Sequence, residues 1–194
     1  MSTGTDDRTL DSSHPGSTTV RTARTWATIT TAPLAVGAMS DWAVTPAAGA
    51  LVTFTGVVRD HDGTTKDVSG IRYEAYAEVV PQLLTDIATE ALARWPEVTR
   101  VALAHRHGEV GLSQTSVFVA ASSEHRPDAF AVTRFCIDII KSSLPIWKLE
   151  HSSSTSAWVQ TGVDIESVAE SARRWDQTAP AGDALGPIDV RALA

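Results

Sequence analysis

The sequence predicts an α+β fold, a mainly antiparallel sheet packed with two principal helices in a single domain with flexible tails. Three observations predict it. Short runs of β-branched and aromatic residues are interleaved with two long stretches whose apolar residues recur every three or four positions. Polar or glycine-bearing turns follow the strand-like runs, which suits an antiparallel α+β sandwich better than a doubly wound sheet. A hydrophobic fraction of 43% in 194 residues is enough for one buried core.

Residues 1–24 open with MSTGTDDRTLDSSHPGSTTV, mostly Ser, Thr, Gly, Pro and Asp, too apolar-poor to offset the entropy of ordering, and are expected as a disordered tail. The domain is expected over residues 25–175. Leu51 to Arg59 is rich in strand formers and runs into the turn formers Asp60, His61, Asp62 and Gly63. Gly70 to Tyr76 alternates Ile71, Tyr73 and Ala75 with Arg72, Glu74 and Tyr76, and is expected to pair with the preceding strand as a long-looped hairpin. Apolar residues from Val79 to Trp95 fall on one helix face, and Pro96 ends it. Strands are expected over Arg100 to His105 and Thr115 to Ser122, joined by a turn containing Gly108 and Gly111. A second helix runs from about Pro127 to about Ser143, with Phe130, Thr133, Ile137, Ile140 and Leu144 as its stripe, and Pro145 stops it. Ile146 to Glu150 and Ala157 to Gln160 read as short strands. From Asp176, the Pro180, Gly182, Gly186 and Pro187 stretch has no period and is expected as an irregular tail over residues 176–194.

Composition narrows the function. Sixteen basic against 23 acidic residues leave a charge of −7, whose average field repels phosphate polymers and anionic bilayers, so a generic nucleic-acid or membrane-surface role is not expected. No apolar stretch approaches the roughly 20 residues that span a bilayer, and no basic segment followed by an apolar one opens the chain, so a cytoplasmic location is expected. The one cysteine, Cys136, reads as a buried, inert thiol within the second helix. Phosphate-loop, dinucleotide-binding, nucleophile-elbow and C-x-x-C signatures are missing. His105 and His107 alternate on a strand and would face one way, but no third ligand at metal-site spacing accompanies them, which favours a structural role.

Only three side chains are lysine, and two of them, Lys141 and Lys148, lie seven residues apart on either side of Pro145. The chain reversal there can bring both amines into one pocket. Two nearby ammonium groups disfavour each other's charge, so one can be neutral near pH 7 and act as base or nucleophile. A lysine at a helix C-terminus also serves the helix dipole, and spacing alone leaves both roles open. Arg59 ends a strand. His125 and Arg126 directly precede a helix N-terminus, where backbone N–H groups favour a phosphate or carboxylate, although Arg126 can equally pair with Glu124 or Asp128. The residues themselves indicate an anion-binding pocket with a lysine pair.

The segments GALVTFTGVVRDHDG, IRYEAYAE, ALAHRHGEVGLSQTSVFVAASSEHRPDAF and IDIIKSSLPIWKLE, in that order, resemble the large, catalytic subunit of molybdopterin synthase over roughly Gly49 to Gly162. The resemblance implies a hammerhead-like sandwich and an enzyme that passes two sulfur atoms to cyclic pyranopterin monophosphate, giving the dithiolene of molybdopterin. The sulfur donor is the C-terminal thiocarboxylate of a small ubiquitin-like subunit whose Gly-Gly tail enters the pocket. The implied assembly is a homodimer with a small subunit at each end, a heterotetramer, with no cofactor and no metal required. Matched by motif, Lys141 and Lys148 correspond to the catalytic lysines, and Val57, Val58, Arg59, His125, Arg126, Leu149 and Glu150 to substrate-contacting positions. Leu149 stands where the family often carries a basic residue. The alternative is a non-catalytic relative that grips a ubiquitin-like tail or a phosphate anion without chemistry.

Overall fold

The structure, a computed structural model, describes residues 9–11, 16–61, 67–152, 156–159 and 165–178. In chain order these form β1 (Thr9–Asp11), β2 (Ser17–Arg21), β3 (Thr25–Thr30), α1 (Val36–Ala43), β4 (Ala50–Val57), β5 (Val68–Ala75), α2 (Val80–Arg94), β6 (Val98–Arg106), β7 (Gly108–Gly111), β8 (Thr115–Ser123), α3 (Arg126–Ser143), β9 (Ile146–Ser152), β10 (Ser156–Val159) and α4 (Val168–Thr178). Two sheets result, ordered β1-β2-β3-β6-β8-β4 and β10-β9-β5-β7. Their pairings are antiparallel except β3 with β6. The α+β class expected from the pattern is the class found. Among the described residues no helix is long and apolar enough to cross a membrane.

Period-two alternation explains how the larger sheet is covered on both faces. Along β6, Val101 and Leu103 face the main core with α2 and α3, while Ala102 and Ala104 face Met39 and Ala43 of α1. The small alanines let α1 approach closely. Pro81 sits in the first turn of α2, where its missing N–H costs nothing. Trp95, Phe135 and Trp175 form a triangle of tilted and edge-on rings with centroids 5.3 to 5.9 Å apart, tying the ends of α2 and α4 to the middle of α3. Such pairs add about 0.5–1.5 kcal/mol each beyond burial.

Several expectations are corrected. β4 and β5 do not form a hairpin: β4 pairs with β8, and β5 with β7 and β9. A bulge between Gly56 and Val57 bends the end of β4, and the polar connection that follows delivers β5 to the second sheet. The Gly108 to Gly111 turn is itself β7; Gly108, at φ +78°, takes a left-handed conformation that starts this strand directly after β6. Phe130 is 62% exposed instead of buried, because Arg126, Phe130, Arg134, Asp138 and Lys141 make the outer arc of α3. His107 lies past β6, with Nε2 2.9 Å from the Gly16 carbonyl, so it does not share a direction with buried His105.

The tail expectation for residues 1–24 fails at β1 and β2. Val20 is buried, and the Thr19 and Thr28 hydroxyls hydrogen-bond across β2 and β3 at 3.0 Å. Here threonine acts as a β-branched strand former. Helix α4 extends to Thr178, two residues beyond the expected start of irregular chain, and residues 179–194 lie outside the described residues, as does Gln160 of the last expected strand.

Candidate active site

The site forms where the two sheets meet the C-terminal end of α3. Lys141 is exposed in the last turn of α3; Leu144 donates its N–H to the Ile140 carbonyl, and Pro145 then redirects the chain into β9. Lys148 follows on β9, directly opposite Tyr73 of β5, and Glu150 lies opposite Ile71. Side chains two apart on a strand share a face. Lys148 and Glu150 therefore point the same way, and the Lys148 Nζ lies 3.2 Å from the Glu150 carboxylate. Glu150 is only 4% exposed, so this ammonium both satisfies the buried charge and is held in place by it.

Two adjoining hollows share Val57, Tyr73, Lys141 and Lys148. The deeper, of about 430 Å³, is lined by Phe54, Gly56 and Val57 of β4, His105 of β6, Ser116 and Val117 of β8, and Ile137 and Ile140 of α3. The shallower, of about 310 Å³, adds Arg59, His61, Ile71 and Glu150. The result is a cationic mouth over an aromatic and aliphatic interior. A side chain at Gly56 would strike Val117, so glycine there keeps the deeper hollow open beside the bulge. Burial holds His105 neutral, lowering its pKa from 6.5 to about 4, against an opposing hydrogen bond to the Arg106 carbonyl and with a small added push from His107. Burial also pushes the Cys136 thiol up, which suits an inert packing group.

Lys141, Lys148, Arg59, Val57 and Glu150 are thus brought together. Val58 is buried beneath them with Val68, Ile71 and Val110. Leu149 pairs opposite Arg72 on the other face of β9 and does not line either hollow. His125 and Arg126 are exposed at the opposite end of α3, about 22 Å from Lys141 at 1.5 Å per residue, so within one chain they do not join the lysines. His125 Nε2 lies 3.6 Å from Glu124, and among the described residues Arg126 has no carboxylate at ion-pair distance. Burial raises the Asp128 carboxyl in the first turn of α3, partly countered by His125. Lys66, the third lysine, lies outside the described residues. No group of three His, Cys, Asp or Glu side chains among the described residues is arranged to hold a metal ion.

Sequence reasoning missed Phe54, Tyr73, Ser116 and His105 as lining residues. Inward alternation was visible for Tyr73, but which strands border the hollow depends on the sheet switch after β4, which no local pattern signals.

The family model described as MoaE protein matches residues 29–143. The molybdopterin synthase catalytic subunit of Arabidopsis thaliana is 39% identical over 137 residues, 70% of this chain and 68% of the relative. The crystal structure of molybdopterin synthase from Staphylococcus aureus superposes with a TM-score of 0.64 at 32% identity, covering 68% of this chain and 94% of that one. A protein–protein complex of subunits 1 and 2 of the molybdopterin-converting factor from Helicobacter pylori 26695, at 21% identity and a TM-score of 0.58, covers 70% of this chain and 90% of that chain and shares the fold. The family model spans more than half of the chain and includes Arg59 and Lys141, and the chain belongs to the MoaE protein family, that of the catalytic subunits of molybdopterin synthase, enzymes of molybdenum cofactor biosynthesis.

Proposed function

We propose that this chain moves sulfur from the C-terminal thiocarboxylate of a small ubiquitin-like partner to cyclic pyranopterin monophosphate. The observation that carries the reading is the convergence of Lys141, Lys148 and Arg59 on one hollow. A thiocarboxylate and a phosphomonoester are both anions, and a mouth of two ammonium groups and a guanidinium attracts both. Arg59 holds phosphate in a forked contact and fixes the distance from the pterin carbons to the sulfur. Lys141, exposed on the helix end, ion-pairs with the entering thiocarboxylate and assists proton transfer. Lys148, anchored by Glu150, stabilises negative charge that develops as the ring opens. The narrow interior beside Gly56 admits an extended tail of small residues. The Helicobacter pylori neighbour is a complex of two subunits, which supports a small-subunit partner here.

His125 and Arg126 enter this reading through a second copy of the chain. A homodimer placing the start of one α3 over the hollow of its partner would add two anion-binding side chains to each site, in keeping with a heterotetramer of two large and two small subunits.

The test is conversion of the pterin precursor to molybdopterin by purified protein with a thiocarboxylated small subunit. Lys141→Ala and Lys148→Ala are each expected to slow product formation about 100-fold or more, the scale of a lost acid–base or charge-stabilising group. Unchanged turnover in both variants would exclude the mechanism.

A further inference from the structure

We infer that the Nε2 atom of His105 is a hydrogen-bond acceptor inside the lysine hollow, taking an N–H of the molecule bound there. This rests on the sulfur-transfer reading and deepens it by assigning a contact within the same cavity.

The geometry is specific. His105 is 8% exposed and lines the deeper hollow together with Tyr73, Lys141 and Lys148. Its Nδ1 lies 2.7 Å from the Arg106 carbonyl oxygen. A carbonyl can only accept, so Nδ1 carries the hydrogen and the neutral ring presents a bare lone pair at Nε2. The Tyr73 ring stands edge-on to the imidazole, centroids 5.3 Å apart at 77°, and restrains its rotation. Nε2 has no hydrogen-bond partner among the described residues, and it is not among the sealed polar atoms lacking one. It therefore opens to the hollow. Burial keeps the ring uncharged through the physiological range, which preserves the lone pair.

Chemistry then limits what meets it. The two lysine ammonium groups only donate, so they take the anionic part of a ligand. A group that reaches the imidazole must bring its own hydrogen. Two ligands of this site have one: a peptide N–H of the glycine tail and a ring N–H of the pterin.

Two substitutions separate contact from packing. His105→Asn keeps a donor for the Arg106 carbonyl and removes the distal acceptor, whereas His105→Gln returns an amide oxygen near the Nε2 position. The measurements are KM for each substrate, kcat, and calorimetric binding of a synthetic peptide ending in Gly-Gly and of the pterin monophosphate. In His105→Asn, KM for one substrate is expected to rise about tenfold, the other to hold, and kcat to stay within about twofold, with most of the loss recovered in His105→Gln. A rise for the thiocarboxylated partner, matched by weaker peptide binding, assigns the peptide N–H; a rise for the pterin assigns the ring N–H. Unchanged KM values in His105→Asn overturn the inference, and so do equal losses in both variants accompanied by a lower Tm, which mark a packing role. Absence of product from the wild-type protein would instead reject sulfur transfer. Calorimetry then decides the His105 contact separately, and equal binding by wild type and His105→Asn overturns it.

Discussion

At the scale of single residues, the site works by contrast between a charged mouth and a neutral interior. Lys148 is 25% exposed and held by a carboxylate that is almost fully enclosed, while Lys141 stands free of β9 on a helix end. The same fold that enriches the mouth in cations refuses a cation at His105. That refusal has a consequence for stability. His105 is neutral in the folded protein down to about pH 4, whereas the unfolded chain takes up its proton below about 6.5. Between those values the unfolded state binds more protons, so stability falls as pH falls, by about 3 kcal/mol across the window from this one group. Urea unfolding at a series of pH values is expected to show that slope, and His105→Gln to flatten it; an unchanged slope in the variant would assign it to other groups. The lysines and Arg59 were legible as chemistry because Lys141 ends a helix, Lys148 closely follows the Pro145 break and Arg59 follows a strand, in a chain with few lysines. His105 was not, since its meaning depends on Tyr73, 32 positions earlier, and on the carbonyl of its own neighbour.

Among the elements, α4 shows how a helix can be missed although its signals are present. Ser167 and Glu170 form a capping box, the Ser167 N–H donating to the Glu170 carboxylate at 3.0 Å and the Glu170 N–H to the Ser167 hydroxyl at 3.3 Å. Val168, Ala172 and Trp175 give the inward spacing. Surrounding polarity and the lack of period from Asp176 onward hide both. Helix α4 matters because it braces the turn that carries Lys141. The Ser142 and Ser171 hydroxyls hydrogen-bond at 2.9 Å, Glu166 donates its backbone N–H to the Ser142 carbonyl, and Trp175 donates from Nε1 to Asp138 at 3.3 Å. Trp175→Ala removes a buried indole and that bond together, and is expected to cost about 3–5 kcal/mol in chemical denaturation. A loss under 1 kcal/mol would show that α4 is only loosely attached. By contrast, α2 and α3 were readable almost to the residue, because proline marks a boundary of each and their apolar stripes are long. Phe130 was assigned inward as the first member of the 130, 133, 137, 140, 144 stripe, although its position in the exposed 126, 130, 134, 138 series puts it outward.

Across the whole molecule, α3 is a rod that sets the two cationic groups apart. One end bears His125 and Arg126, the other Lys141, and no bend in a single chain closes about 22 Å. If both ends act on one substrate, the sites are shared between copies. Arg126→Ala and Lys141→Ala proteins, each inactive alone, are then expected to recover about a quarter of wild-type activity after mixing and exchange, since half the dimers are hybrids with one intact site of two. No recovery would rule out a site built from Arg126 of one copy and Lys141 of the other. The fold class was legible because local period and turn chemistry decide it. Sheet membership was not, because β4 and β5 are neighbours in sequence yet pair with β8 and with β7 and β9.

The parallel contact of β3 with β6 has a further effect during synthesis. Thr25 to Thr30 emerge from the ribosome with one edge unmatched, and the segment that completes them, Val101 to Arg106, follows more than 70 residues later. Until then β1, β2 and β3 exist only as a narrow three-stranded ribbon whose Val20, Ala27 and Ile29 lack most of the core they later pack in, with an outer edge open to pairing with other chains. The amino-terminal third of the protein is thus made first but secured late. A chain cut short before β6 would carry its unmet strand edge into the cell as an aggregation hazard.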